Sequence, residues 1–128
     1  MERVTGIGGV FFKSPDPERL LAWYETHLGL KRDPASGGAS VSFRWRDDQE
    51  GDGMTVWSIF RDDTTYFEPS HASFMINYRV ADLDALLEAL RQEGVEIDPK
   101  RMNEPYGRFA WIVDPDGNRI ELWEPPKK

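Results

Sequence analysis

Glu121 is the residue of this chain whose type and setting best suit chemistry. It stands in Arg119-Ile120-Glu121-Leu122-Trp123, where strand alternation puts it on one face with Trp123 and puts Ile120 and Leu122 on the other. A carboxylate beside aromatic rings can accept a hydrogen bond, hold a cation or move a proton. Other candidates fall away by type or by place. The chain has no cysteine, which excludes disulfides, thiol catalysis and thiolate metal sites. Of its two histidines, His27 falls at a helix end and His71 in a connecting segment, so neither is expected to ligate a metal. Gly6-Ile7-Gly8-Gly9 runs into a strand instead of following one and opening a helix, so no phosphate cradle is assembled. Lys13, Arg79 and Arg108 suit either the anchoring of an anionic group or plain solvation at strand ends. Solvation is the expectation for Lys13, and for the arginines both stand open.

The elements that position these residues come in two similar sets. Gly9-Val10-Phe11-Phe12 through Asp16 aligns with Met75-Ile76-Asn77-Tyr78 through Asp82, each a strand leading into an Asp-capped helix. The first helix carries Pro17 at its start, Leu20, Leu21, Tyr24 and Leu28 at helical spacing, and Gly29 as its stop. In the second, Leu83, Leu86, Leu87 and Leu90 form one stripe that ends at Gly94. The period then changes to that of strands: Val41 to Trp45 and Met54 to Phe60 in the first half, Phe109 to Val113 and Arg119 to Trp123 in the second. Asp47 to Gly53 and Asp114-Pro115-Asp116-Gly117-Asn118 are the polar turns between them. Short strands near Leu30 to Arg32 and Val95 to Ile97 complete each module. A single domain over residues 1–128 is expected, with module one at about 5–61, an acidic linker at about 62–71, and module two at about 72–124.

The capped helix ending in Tyr24-Glu25-Thr26-His27-Leu28-Gly29-Leu30, the duplication, and the closing Asp114-Pro115-Asp116-Gly117-Asn118-Arg119-Ile120-Glu121-Leu122 together resemble the vicinal oxygen chelate proteins. That is the glyoxalase, bleomycin-resistance and dioxygenase superfamily, and the resemblance covers nearly the whole chain. It implies an α+β fold of two tandem βαβββ modules, a cupped mixed sheet with helices outside, a ligand cavity inside, and a homodimer.

Within such a cup, the first helix is expected to cover Val10 and Phe12, and the second helix Phe74, Ile76 and Tyr78 of the strand that opens module two. That turns Gly9, Phe11 and Lys13 inward, together with Met75, Asn77 and Arg79. Two further strands contribute either Phe43 and Trp45 with Thr55 and Trp57, or their neighbours. The expected ligand-binding set is Phe11, Trp45, Trp57, Met75, Asn77, Arg79, Tyr106, Arg108, Trp111 and Trp123, with Glu121 as the catalytic candidate. Metal-using members of the family take donors from the first and last strands of each module. Only Glu121 matches, because Gly9 and Met75 fall at the first-strand positions and no carboxylate or histidine lies between Met54 and Phe60. A two-residue shift in the second module would offer Asn77.

No cofactor is therefore expected, and a divalent metal is the alternative. Two functions follow. One is a metal-free protein, similar to bleomycin-resistance members, that stacks a small organic ligand in an aromatic cup. The other is a metal-dependent glyoxalase-type lyase or isomerase, or an extradiol-dioxygenase-like enzyme. A metal-free enzyme with Glu121 as base, and Tyr106 or Arg108 polarising a carbonyl, lies between them. With 16 Lys and Arg against 23 Asp and Glu, the net charge of −7 repels nucleic acid and favours neutral or cationic partners. The absence of an export signal or a long apolar run points to a soluble cytoplasmic protein with no membrane partner.

Overall fold

The computed structural model describes residues 3–46 and 53–127. Its elements in chain order are β1 (Val4–Ser14), α1 (Pro17–Leu28), β2 (Ser40–Arg44), β3 (Met54–Arg61), β4 (Phe74–Val80), α2 (Leu83–Gln92), β5 (Glu96–Glu104), β6 (Gly107–Val113) and β7 (Arg119–Glu124). They form one cupped mixed sheet in the order β2-β3-β1-β4-β7-β6-β5, with the helices on its outer face. β1 and β4 are antiparallel neighbours at its centre, and Val10 pairs with Ile76. These two residues also correspond in the repeat, so the two halves are related by an approximate two-fold axis through that pair. On either side, β3 runs parallel to β1 and β7 parallel to β4.

The helices begin and end where their caps require. The Asp16 carboxylate accepts from Arg19 N–H at 3.1 Å, Pro17 opens α1, and Gly29 closes it at φ 70°, a left-handed value at which a side chain would be strained. Asp82 accepts from Ala85 N–H at 3.0 Å, and the Glu124 carboxylate at the end of β7 accepts from Leu83 N–H at 2.8 Å. Leu21 packs with Leu20 onto Phe12, Ala39, Val41, Trp57 and Ile59, while Leu83 and Leu86 pack onto Val80, Ala110 and Leu122. Each fully buried leucine contributes about 1.5–3 kcal/mol by leaving water. These contacts fix which face of every central strand is left for the cup.

The short strand expected near Leu30 to Arg32 does not form. Leu30 packs into the α1 core, and the chain then turns at Asp33, whose side chain accepts from Ala35 N–H at 2.9 Å and from Ser42 Oγ at 2.7 Å. The corresponding strand of the second module is longer than expected. β5 runs to Glu104 beside β6, with its register shifting between Ile97 and Arg101. Pro99 has no N–H for the ladder there, and Asp98 accepts from Lys100 N–H at 2.9 Å. The polar turn at Asp47 to Gly53 lies, apart from Gly53, outside the described residues.

Candidate functional site

Glu121 sits at the middle of β7, opposite Trp111 of β6 and beside Asn77 of β4. Ile120 and Leu122 point to α2, which sends Glu121 into the cup, where it is 2% exposed. Three neutral donors hold its carboxylate. Tyr66 Oη donates to Oε2 at 2.5 Å, Trp111 Nε1 to Oε2 at 3.0 Å, and Asn77 Nδ2 to Oε1 at 2.7 Å. Burial raises the carboxyl above its ordinary value, against the opposing pull of those bonds and of the Arg119 charge. The Tyr66 phenol is held far above its own ordinary value, first by burial and then by the Glu121 charge. The proton of this pair therefore stays on the tyrosine, and Glu121 acts as the acceptor.

Around this network the cup is aromatic and closely filled. Phe11, Phe67, Met75, Phe109 and Trp111 are buried together, with Val56, Phe60, Tyr66, Met102 and Trp123 packed against them. Arg119 lies 4.9 Å and Lys100 5.3 Å from the centre of the Trp111 ring, and Arg119 pairs with Asp98 at 2.7 Å. Gly8 is what lets Asn77 fit, since a Cβ there would stand 2.1 Å from Asn77 Oδ1. That Oδ1 is buried and has no hydrogen-bond partner.

Of the residues expected to line the cup, Phe11, Met75, Asn77, Trp111 and Glu121 come together, and Trp123 packs against them. Two more border them: the Tyr106 ring lies 5.6 Å from that of Phe109, and Arg79 is buried on the Asn77 face of β4 beside Trp123. Trp57 is on the helix-facing side, its ring 5.1 Å from Phe12 and 4.9 Å from Tyr24, so on β3 it is the neighbours Val56 and Phe60 that reach the cup. Alternation alone could not choose, because both faces of β3 are apolar. Trp45 covers Gly6, where a Cβ would meet its ring at 2.1 Å, and the Arg79 guanidinium lies 5.3 Å from the centre of that ring. Tyr106 is 58% exposed, and its carbonyl accepts from Trp123 Nε1 at 2.9 Å. Arg108 corrects the expectation of a carbonyl-polarising group. Strand alternation puts it with Ala110 on the side of β6 opposite Trp111, where it pairs with Asp84 in the first turn of α2 at 2.6 Å. Lys13 is half-buried and not simply solvated, with its ammonium 5.2 Å from the centre of the Phe67 ring.

The sequence reading missed Tyr66 and Phe67. The segment taken as a linker between the modules also covers the cup with these two rings. Its one signal is an aromatic pair embedded in a polar run, Asp62-Asp63-Thr64-Thr65-Tyr66-Phe67.

The donor set does not fit a divalent ion. The first-strand donor positions are not Gly9 and Met75 but lie two residues on: Asn77 pairs with Glu121 in the register that Phe11 and Ser58 share across the approximate two-fold, so a phenylalanine and a serine face these two. The Ser58 hydroxyl is already bonded to Ser40 Oγ at 2.8 Å, and both Glu121 oxygens already accept hydrogen bonds from neutral donors. Among the described residues, no three His, Cys, Asp or Glu are grouped to hold a metal.

A family model described as the Glyoxalase/Bleomycin resistance protein/Dioxygenase superfamily matches residues 6–122. A search of curated proteins finds no match. Solved structures share the fold. The methylmalonyl-CoA epimerase of Mycobacterium tuberculosis is similar at 23% identity and a TM-score of 0.64, over 99% of this chain and 92% of that one. A variant of the Streptomyces coelicolor methylmalonyl-CoA epimerase, in complex with 2-nitronate-propionyl-CoA, gives 16% identity and a TM-score of 0.67 over 97% and 99% of the two chains. A superfamily member from Vibrio splendidus 12B01 gives 11% and 0.59 over 92% and 97%.

Proposed function

This chain belongs to the glyoxalase/bleomycin resistance protein/dioxygenase superfamily, and from that premise we propose that it is a metal-free binding protein for a small organic molecule, which Glu121 receives in the aromatic cup. One observation carries the proposal. A carboxylate is buried among aromatic rings with both oxygens held by neutral donors and no cation in hydrogen-bonding contact among the described residues. Burying a charge in this way costs stability, and a hydrophobic side chain would fill the position at less cost. Such an acceptor is suited to a ligand that brings a hydrogen-bond donor or a positive charge, in keeping with the net charge of −7. The epimerase neighbours are below 25% identity and lend this chain their fold, not their CoA esters.

The same raised proton affinity supports a second reading, in which Glu121 takes a proton from a bound substrate without a metal. The metal-dependent alternative finds no set of donors among the described residues. We further place the protein in the cytoplasm, consistent with its lack of cysteine, and as a homodimer. The β5 edge bears Asp98, Pro99 and Lys100, which discourage strand pairing, whereas the β2 edge carries Phe43 at 46% exposure and is the better candidate for a second copy.

Elemental analysis after incubation with zinc, nickel, iron and manganese tests the metal-free reading, and a thermal-shift screen of aromatic and cationic metabolites tests binding. The expected result is no stoichiometric metal together with stabilisation by a planar organic molecule. One equivalent of metal per chain, lost in Glu121→Gln, would move the protein to the metal-dependent enzymes.

A further inference from the structure

The segment covering the cup is closed on itself. Asp62 N–H donates to the Ser14 carbonyl at 3.0 Å, and Lys13 N–H donates to the Ser73 carbonyl at 2.9 Å, so both ends meet at adjacent residues of β1. Between them the bonds are local turns, Glu68 N–H to the Thr65 carbonyl at 3.1 Å and Ser70 N–H to the Phe67 carbonyl at 2.9 Å. A loop with joined ends and its own internal bonds is an Ω-loop, able to lift as a unit without unravelling the sheet.

What this loop inserts beside Glu121 is a phenol. The Tyr66 ring lies nearly parallel to Phe60, at 5.6 Å and 14°, and meets Trp111 edge-on at 6.1 Å and 88°. Its hydroxyl ends on Glu121. A flat wall, an edge wall and a carboxylate acceptor thus make a slot shaped for one hydroxylated ring. The slot does not depend on Tyr66 for its construction. Phe60 and Trp111 are on strands, and Trp111 and Asn77 hold Glu121 from the sheet side. Asn77 turns its amide N–H to Glu121 and its buried Oδ1 toward Gly8, so its hold on the carboxylate is independent of Tyr66.

Resting on the reading that the cup binds a small molecule, we infer that its ligand is a hydroxylated aromatic, with Tyr66 as the built-in competitor. The ligand's hydroxyl replaces that of Tyr66 on Glu121, and residues 62–73 lift away. Apparent affinity is lowered by the fraction of time that the loop is closed, and removing the Tyr66 ring removes that competition.

The probe is 4-methylphenol, which is the tyrosine side chain itself, with toluene as the ring without the hydroxyl. Calorimetric titration of the wild type, Tyr66→Ala and Tyr66→Phe measures the competition. Chymotrypsin, which cuts after tyrosine and phenylalanine, reports whether Tyr66 and Phe67 leave the cup. The wild type is expected to bind 4-methylphenol weakly and Tyr66→Ala at least tenfold more tightly, with toluene at least tenfold weaker than 4-methylphenol in that variant. Tyr66→Phe, which keeps the packing, should show a smaller gain and serves if the alanine variant does not fold. In the wild type, 4-methylphenol should speed cleavage after Tyr66 or Phe67. Equal binding of toluene and 4-methylphenol by Tyr66→Ala would mean a mere cavity and would overturn the inference, as would a wild type that is neither bound nor opened by 4-methylphenol. A wild type stabilised only by molecules without a hydroxylated ring would overturn it and leave the metal-free binding function standing.

Discussion

Replacing Phe67 with alanine tests whether the loop over the cup is part of the core. Phe67 is 0% exposed, stands 5.2 Å from Phe60 between ring centres, and shares a cluster with Phe11, Met75, Phe109 and Trp111. Truncating a buried phenylalanine costs about 3–5 kcal/mol, the lost transfer energy plus the cavity left behind. Against a total stability of roughly 5–15 kcal/mol for a domain, that is a large share. At about 4 °C per kcal/mol for a chain of this size, Tm should fall by ~12–20 °C. Urea unfolding followed by tryptophan emission gives both the midpoint and the slope. An unchanged slope is expected if the loop stays seated by its bonds to β1 and to Glu121. A loss below about 1 kcal/mol with an unchanged slope would refute the burial of Phe67 and, with it, the closed cup. A small loss with a shallower slope would instead show that the loop has come free in the native state.

Two further outcomes follow from the same geometry. The buried Glu121 carboxyl has a folded-state proton affinity above its ordinary value of 4.5, so its contribution to stability is fully present below that value and is lost as pH rises through the raised one. Wild type should accordingly lose stability relative to Glu121→Gln as pH rises from about 4.5 through the raised value in paired urea titrations, and a wild type that gains as pH rises contradicts the argument. Carboxylates held below their ordinary values by ion pairs, such as Glu88 beside Arg91 at about 2, have the opposite dependence but are common to both proteins and cancel in the difference. Pairing through the β2 edge predicts a dimer in sedimentation at micromolar concentration, shifted toward monomer by Phe43→Lys. A wild type that sediments as one chain would rule the pairing out.

The sequence by itself determined the parts of the protein governed by local rules. Asp16 and Asp82 cap their helices because a short carboxylate reaches the free N–H groups of the next turn, whatever lies beyond. The leucine stripes then set which strand faces are covered, and alternation put Phe11, Asn77 and Glu121 opposite them. Alternation could not place Trp57, which sits on a strand apolar on both sides, whereas it does place Arg108, since a residue three before Trp111 on β6 must share the helix-facing side with Ala110. It also gave no sign that Leu30 would join the α1 core and leave no strand behind it. The strand register was a further matter of tertiary structure: pairing β4 with β7 set Asn77 against Glu121, and the approximate two-fold set Phe11 and Ser58 where two more donors would be needed. Above all, the folding of residues 62–73 over the cup depends on contacts between Phe67 and side chains of both modules, and on the bond from Tyr66 to Glu121. A connecting segment has no period to announce such contacts. They exist only once the sheet has brought Glu121, Trp111 and Phe60 within reach of one another.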